Sequence, residues 1–132
     1  MIHCIGDSHS SVFSGEEKMQ DVWPERSNDT IDFFRSYRIG PATAYNLSTK
    51  IYIIDDILSQ SGFSKEKDIV LLCFGEVDVR AHLIKQANLQ NKTFLEVCEE
   101  CVDNYMNGIE ELKNKGLNIA VWGVIASFNE SV

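Results

Sequence analysis

Short apolar runs separated by polar stretches set the rhythm of this chain. Ile2 to Ile5 is one such run, interrupted only by His3, and it ends at Gly6-Asp7-Ser8, the pattern of a buried strand that feeds a turn. From Ser14 to Asp32 the chain is polar and irregular, with Gly15, Pro24 and a Ser27-Asn28-Asp29 cluster, which predicts a long loop. Phe33 to Arg38 reads as a second strand bounded by Gly40-Pro41. Pro41 suits a first helical residue, and Leu47, Ile51, Ile54 and Leu58 then recur at helical spacing up to Gly62. Ile69 to Phe74 is continuously apolar, as expected of a central strand covered on both faces, and it stops at Gly75. Thr93 with Glu96 forms a capping box ahead of Phe94, Val97, Cys101, Tyr105, Ile109 and Leu112, one face of a long helix. Lys113, Lys115 and Gly116 close it, and Ile119 to Ile125 reads as a last buried strand.

This order predicts one α/β domain over residues 1–132: a three-layer αβα sandwich of the flavodoxin-like kind, with a mostly parallel sheet and right-handed crossovers. The 132 residues leave no room for a second domain, and 44% apolar against 24% charged residues is ordinary for a globular protein. The net charge of −8 opposes binding to nucleic acid or to anionic membranes, so a small molecule or glycan is the expected ligand. No apolar run approaches bilayer length and no signal-peptide pattern opens the chain, so the expected location is the cytoplasm. Cys4, Cys73, Cys98 and Cys101 are then expected to be reduced. Cys98-Glu-Glu-Cys101 has redox or zinc spacing, but it falls on the apolar face of a helix with no second ligand pair, so core thiols are expected and no metal or other cofactor.

In parallel α/β sheets, ligands sit beyond the carboxyl ends of the strands. The residues that follow the strands here are polar: Asp7, Ser8, His9 and Ser10 after the first, Gly40-Pro41 after the second, and Gly75 to His82 after the third. At a strand-to-helix turn Ser8 can act as a nucleophile, while Asp7, Ser8 and Ser10 are equally the residue types that cap helices. Glu76, Asp78, Arg80 and His82 share one side if that stretch is extended, and Asp78 and His82 are one turn apart if it is helical. The plain alternative is a surface network in which Arg80 neutralises Glu76 or Asp78.

Ile5-Gly6-Asp7-Ser8-His9-Ser10, Gly40 and Phe74-Gly75-Glu76-Val77-Asp78 resemble, in order and spacing, the first three blocks of the SGNH (GDSL-like) hydrolases. The resemblance implies an esterase or deacetylase acting on a glycan or small acyl ester, with Ser8 as nucleophile and the N–H groups of Ser8 and Gly40 in the oxyanion hole. Asp7, Ser8 and Gly40 are thus the expected catalytic set, and His9, Glu76, Asp78, Arg80 and His82 the expected substrate-facing set. Two departures stand out. Val77 occupies the place of the family's asparagine, the third oxyanion donor, and no Asp-x-x-His block supplies the usual base. Only His3, His9 and His82 remain. His3 is expected in the core, His9 is expected to project away from Ser8, and His82 is the internal candidate, oriented by Asp78 or Glu76.

The chain stops where a member of that family would continue through another strand and helix, so a truncated domain with an exposed sheet edge is expected, open to pairing with a second copy. A non-catalytic glycan- or anion-binding module on the same fold is the alternative function. A nucleotide or receiver domain is disfavoured, because the first strand is followed by no glycine-rich phosphate loop and no acidic pair.

Overall fold

The computed structural model describes residues 1–25, 29–40 and 42–123, without the Arg80 side chain. Four strands, β1 (Ile2–Gly6), β2 (Phe34–Arg38), β3 (Ile69–Cys73) and β4 (Ile119–Val121), form one sheet in the order β2-β1-β3-β4. Every pair is parallel, with Ile5 beside both Tyr37 and Leu72. The chain is therefore of the α/β class, and its first strand occupies an interior position.

Among the described residues three α-helices accompany the sheet: α1 (Ile51–Gln60), α2 (Leu83–Gln90) and α3 (Phe94–Asn114). Ile5, Tyr37, Val70 and Leu72 share one core with Ile54 and Ile57 of α1 and Val97 and Leu112 of α3, all almost fully buried. Ile54, Val97 and Leu112 are positions the helical period assigns to the inner faces, whereas Ile57 takes a fully buried place beside a partly buried Leu58. The expected capping box is present, with the Thr93 hydroxyl accepting from the Glu96 N–H and the Glu96 carboxylate accepting from the Thr93 N–H.

The opposite face of β1 and β2 is met by a short 3₁₀ helix, Ser8–Ser14, through buried polar contacts and the stacking of Phe13 on Phe34, 5.5 Å between centroids. Ser36 on β2 donates its hydroxyl to the Ser10 carbonyl at 2.6 Å, and Gln20 donates its side-chain amide to the Ser36 carbonyl. Ser10, Ser14, Ser36 and Gln20 are all fully buried. Hydrogen bonding thus takes over much of the role that the apolar stripe of a packed α-helix would play.

Three expected boundaries shift. The first helix begins as a 3₁₀ turn at Leu47–Lys50 and becomes α-helical at Ile51, well after Pro41, which lies outside the described residues. Thr43 and Asn46 bond each other's backbone N–H groups, and the N–H groups of Ala44 and Tyr45 go to Asp78, so side chains take the donors a helix would use. The stretch after β3 is helical: a π turn, Asp78–His82, runs directly into α2, which the apolar pattern had not announced. Leu83 and Ala87 at helical spacing, with Asn91 left-handed at φ 51°, are the signal that marks it. β4 ends at Val121, and Trp122, expected in the core, is 43% exposed; residues 124–125 of the expected strand lie outside the described residues. Among the described residues no helix is long and apolar enough to cross a membrane.

Candidate functional site

Gly6 lets the chain pass β3 at close quarters. A Cβ there would lie 2.1 Å from the Cys73 carbonyl oxygen, so only glycine fits the end of β1. Asp7 then donates its N–H to that carbonyl at 3.2 Å, while the Ile39 N–H reaches the Gly6 carbonyl at 2.8 Å. The carboxyl ends of β1, β2 and β3 meet at this corner.

Asp7 caps the 3₁₀ helix, one of the roles its residue type allowed. Its Oδ1 accepts the His9 N–H at 2.9 Å and lies 3.2 Å from His9 Nδ1. The same ring nitrogen is 3.7 Å from Glu76 Oε2, so residues after β1 and after β3 share one imidazole. Asp7 is 6% exposed, and its Oδ2 is buried with no hydrogen-bond partner among the described residues. Asp7, His9 and Glu76, with Cys73, Phe74 and Trp122, line a cavity of about 20 Å³. That is room for one water molecule.

Ser8 is half-buried at this corner. Among the described residues no imidazole is hydrogen-bonded to its hydroxyl: His3 and His9 bond elsewhere, and His82 Nε2 is buried without a partner. Gly40 directly follows the Ile39 link to Gly6. An added Cβ there meets only Val22, at 3.6 Å, so steric space does not demand glycine at that position.

Asp78 stands apart from the expected substrate-facing set. It is 2% exposed, and its two oxygens accept the N–H groups of Ala44 at 2.7 Å and Tyr45 at 3.0 Å, with the Cys101 thiol donating to Oδ1 at 3.5 Å. The carboxylate is consumed in tying the loop after β2 to the helix after β3, so it neither faces a ligand nor orients His82. The His82 ring instead packs edge-on to Tyr45, 5.3 Å between centroids. The expected Asp78–His82 pair is not formed, because one helical turn brings their backbones together while the carboxylate turns inward. Of the two neighbouring positions, Val77 is half-buried, and the Arg80 side chain lies outside what the structure describes.

Residues away from this corner have structural roles. Trp23 donates its indole N–H to Asp56 at 3.0 Å and packs edge-on to Tyr37, pinning the long loop to α1 as a tryptophan in a long loop commonly does. His3 is buried, stacked on Tyr37 and edge-on to Phe63, with Nε2 3.3 Å from Asp68 Oδ2. Burial holds its pKa below the usual imidazole value despite the opposing pull of the Asp68 carboxylate. All four cysteines are free, and burial pushes the thiols of Cys4 and Cys101 up to about 12. Among the described residues no three His, Cys, Asp or Glu side chains group as a metal site.

No protein-family model, curated protein or solved structure matches this chain.

Proposed function

We propose that this domain is a serine ester hydrolase of the SGNH (GDSL-like) type on an αβα sandwich, removing an acyl group from a carbohydrate or small ester. The observation that carries the reading is the meeting of the first and third motif blocks: Asp7 and Glu76 both face His9 Nδ1, next to Ser8. With Nδ1 engaged by carboxylates, His9 presents Nε2 as the proton acceptor, an orienter–base pair. In this scheme the Ser8 hydroxyl attacks the ester carbonyl, and His9, which is not bonded to that hydroxyl in the free protein, takes its proton once substrate binding brings the two within reach. The N–H groups of Ser8 and Gly40 stabilise the oxyanion, and the proton returns to the departing alcohol. Water then hydrolyses the acyl-enzyme by the same route. The loss of the asparagine donor at Val77 costs about 3 kcal/mol of transition-state stabilisation, so turnover is slow. The net charge of −8 favours a neutral ester over nucleic acid, and four free thiols suit a reducing cytoplasm.

A second reading, a glycan- or anion-binding module without turnover, draws on the absence of an imidazole bonded to Ser8 among the described residues. Hydrolysis of p-nitrophenyl acetate separates the two. The hydrolase reading requires release of nitrophenolate above the buffer rate, abolished in Ser8→Ala. A rate unchanged by Ser8→Ala removes Ser8 as nucleophile, and no rate above buffer leaves the binding module.

A further inference from the structure

A wide apolar opening lies on the helix side of the sheet and adjoins the Asp7–His9–Glu76 corner, sharing Phe74 and Trp122 with the small cavity there. It is a groove of about 520 Å³ between α3, the π turn that opens α2, and the ends of β3 and β4. Phe74, Cys101 and Ile109 form its floor, and its walls are exposed: Val102 is 59%, Met106 47% and Val121 51% accessible. Asp78 is the one charged group in the lining among the described residues, and both of its oxygens are already bonded to backbone N–H groups and the Cys101 thiol. Tyr105 adds one buried hydroxyl without a hydrogen-bond partner among the described residues, but the rest of the lining is apolar, so an apolar surface of matching shape suits it better than a sugar or an anion.

We infer that this groove docks an amphipathic helix of a partner protein, with apolar anchors on one face and cationic residues on its flank. Three observations select that occupant. The groove follows α3 from Cys98 to Ile109, about 17 Å at 1.5 Å per residue, which matches three turns of a helix with anchors at i, i+3 or i+4, and i+7. Its walls stand open to solvent along their length, a trough for a helix rather than a tunnel for a single acyl chain. Its outer rim on α3 is acidic at Glu99 and Asp103, exposed one turn from Val102 and Met106, whereas Glu110 further along is paired with Lys113 at 3.5 Å. In a second copy of this chain the same acidic rim and the same net charge of −8 would face their like across the contact, so charge complementarity points to a basic partner.

The test uses synthetic 14-residue peptides with leucine at i, i+3, i+4 and i+7 on every turn and lysine, glutamate or glutamine at the remaining positions, titrated into the full chain and read by fluorescence anisotropy. The lysine peptide should bind at micromolar Kd, the glutamine peptide more weakly, and the glutamate peptide not at all. Val102→Glu and Met106→Glu should each weaken the lysine peptide at least tenfold. Both sites are exposed, and far-ultraviolet circular dichroism checks that each variant is folded. These variants separate docking from mere attraction, because added glutamates would tighten a purely electrostatic association. Glu99→Lys with Asp103→Lys should weaken the lysine peptide and spare the glutamine peptide. Absence of binding by wild-type protein, or binding unchanged or tightened in Val102→Glu, overturns the inference. Sedimentation showing a dimer that Met106→Glu dissociates overturns it too, and assigns the groove to a second copy.

Discussion

Asp7 grips His9 twice, through the backbone N–H at 2.9 Å and through Nδ1 at 3.2 Å, so one carboxylate caps a 3₁₀ helix and fixes an imidazole two residues later. The double contact makes the proposed chemistry sensitive to the tautomer that Asp7 imposes. Asp7→Asn keeps the shape and the cap, but its amide no longer has to accept from Nδ1. Ester hydrolysis should fall by roughly 10²-fold or more while the thermal midpoint moves little. A rate that survives Asp7→Asn would remove Asp7 and His9 from the reaction.

The buried Asp78 makes a different kind of prediction. Asp78→Ala strands the N–H groups of Ala44 and Tyr45 in the interior and should lower the unfolding free energy by about 2–4 kcal/mol in urea titration. A loss below about 1 kcal/mol would mean that Asp78 does not tie the two segments together.

Two glycines near the candidate site should respond oppositely. Gly6→Ala forces a methyl group against the Cys73 carbonyl and should cost about 2–3 kcal/mol, whereas Gly40→Ala meets only ordinary contacts and should stay within about 0.5 kcal/mol. Equal costs would contradict the close approach of β1 and β3 at Gly6.

His3 makes stability depend on pH in a defined direction. Its folded pKa lies below the ordinary 6.5, chiefly through burial, so below pH 6.5 the unfolded chain binds the proton more readily than the fold does. Stability is therefore full above pH 6.5 and declines as pH falls from 6.5 toward the lowered folded value. The urea midpoint should drop across pH 7.5 to 5.5, and His3→Phe should flatten that drop. Asp68 contributes in a separate, more acidic window. Its carboxyl is held low, first by the Ser64 N–H, so its contribution is present above the ordinary carboxyl value and lost as pH falls through the lowered one.

Thiol reactivity should single out one cysteine. Cys4, Cys73 and Cys101 are buried with raised pKa values, while Cys98 is half-buried. Ellman's reagent at pH 8 should label one thiol promptly in the native protein and all four in denaturant. Prompt labelling of Cys101 would show that its contact with Asp78 opens.

Local pattern was enough to reveal the strands and the long helix. Ile69–Cys73 reads as a buried strand because five apolar residues in a row have no other stable home, and α3 announces its start because Thr93 and Glu96 satisfy each other's backbone within four residues. The order of strands, then helix, also determined a parallel α/β sheet, since parallel neighbours require such crossovers. The destinations of the polar side chains were not legible, because each was decided by a partner distant in sequence. Asp78 looked like a ligand-facing carboxylate until Ala44 and Tyr45, 34 and 33 residues away, presented two unpaired N–H groups to it. Trp23 was legible from the sequence as a loop anchor, whereas its partners Asp56 and Tyr37 were not. Spacing along a chain fixes which face a residue occupies, because backbone geometry is periodic. Only the packed tertiary structure decides which hydrogen bond a buried polar group makes, because that choice depends on which unsatisfied donors the fold brings within about 3 Å.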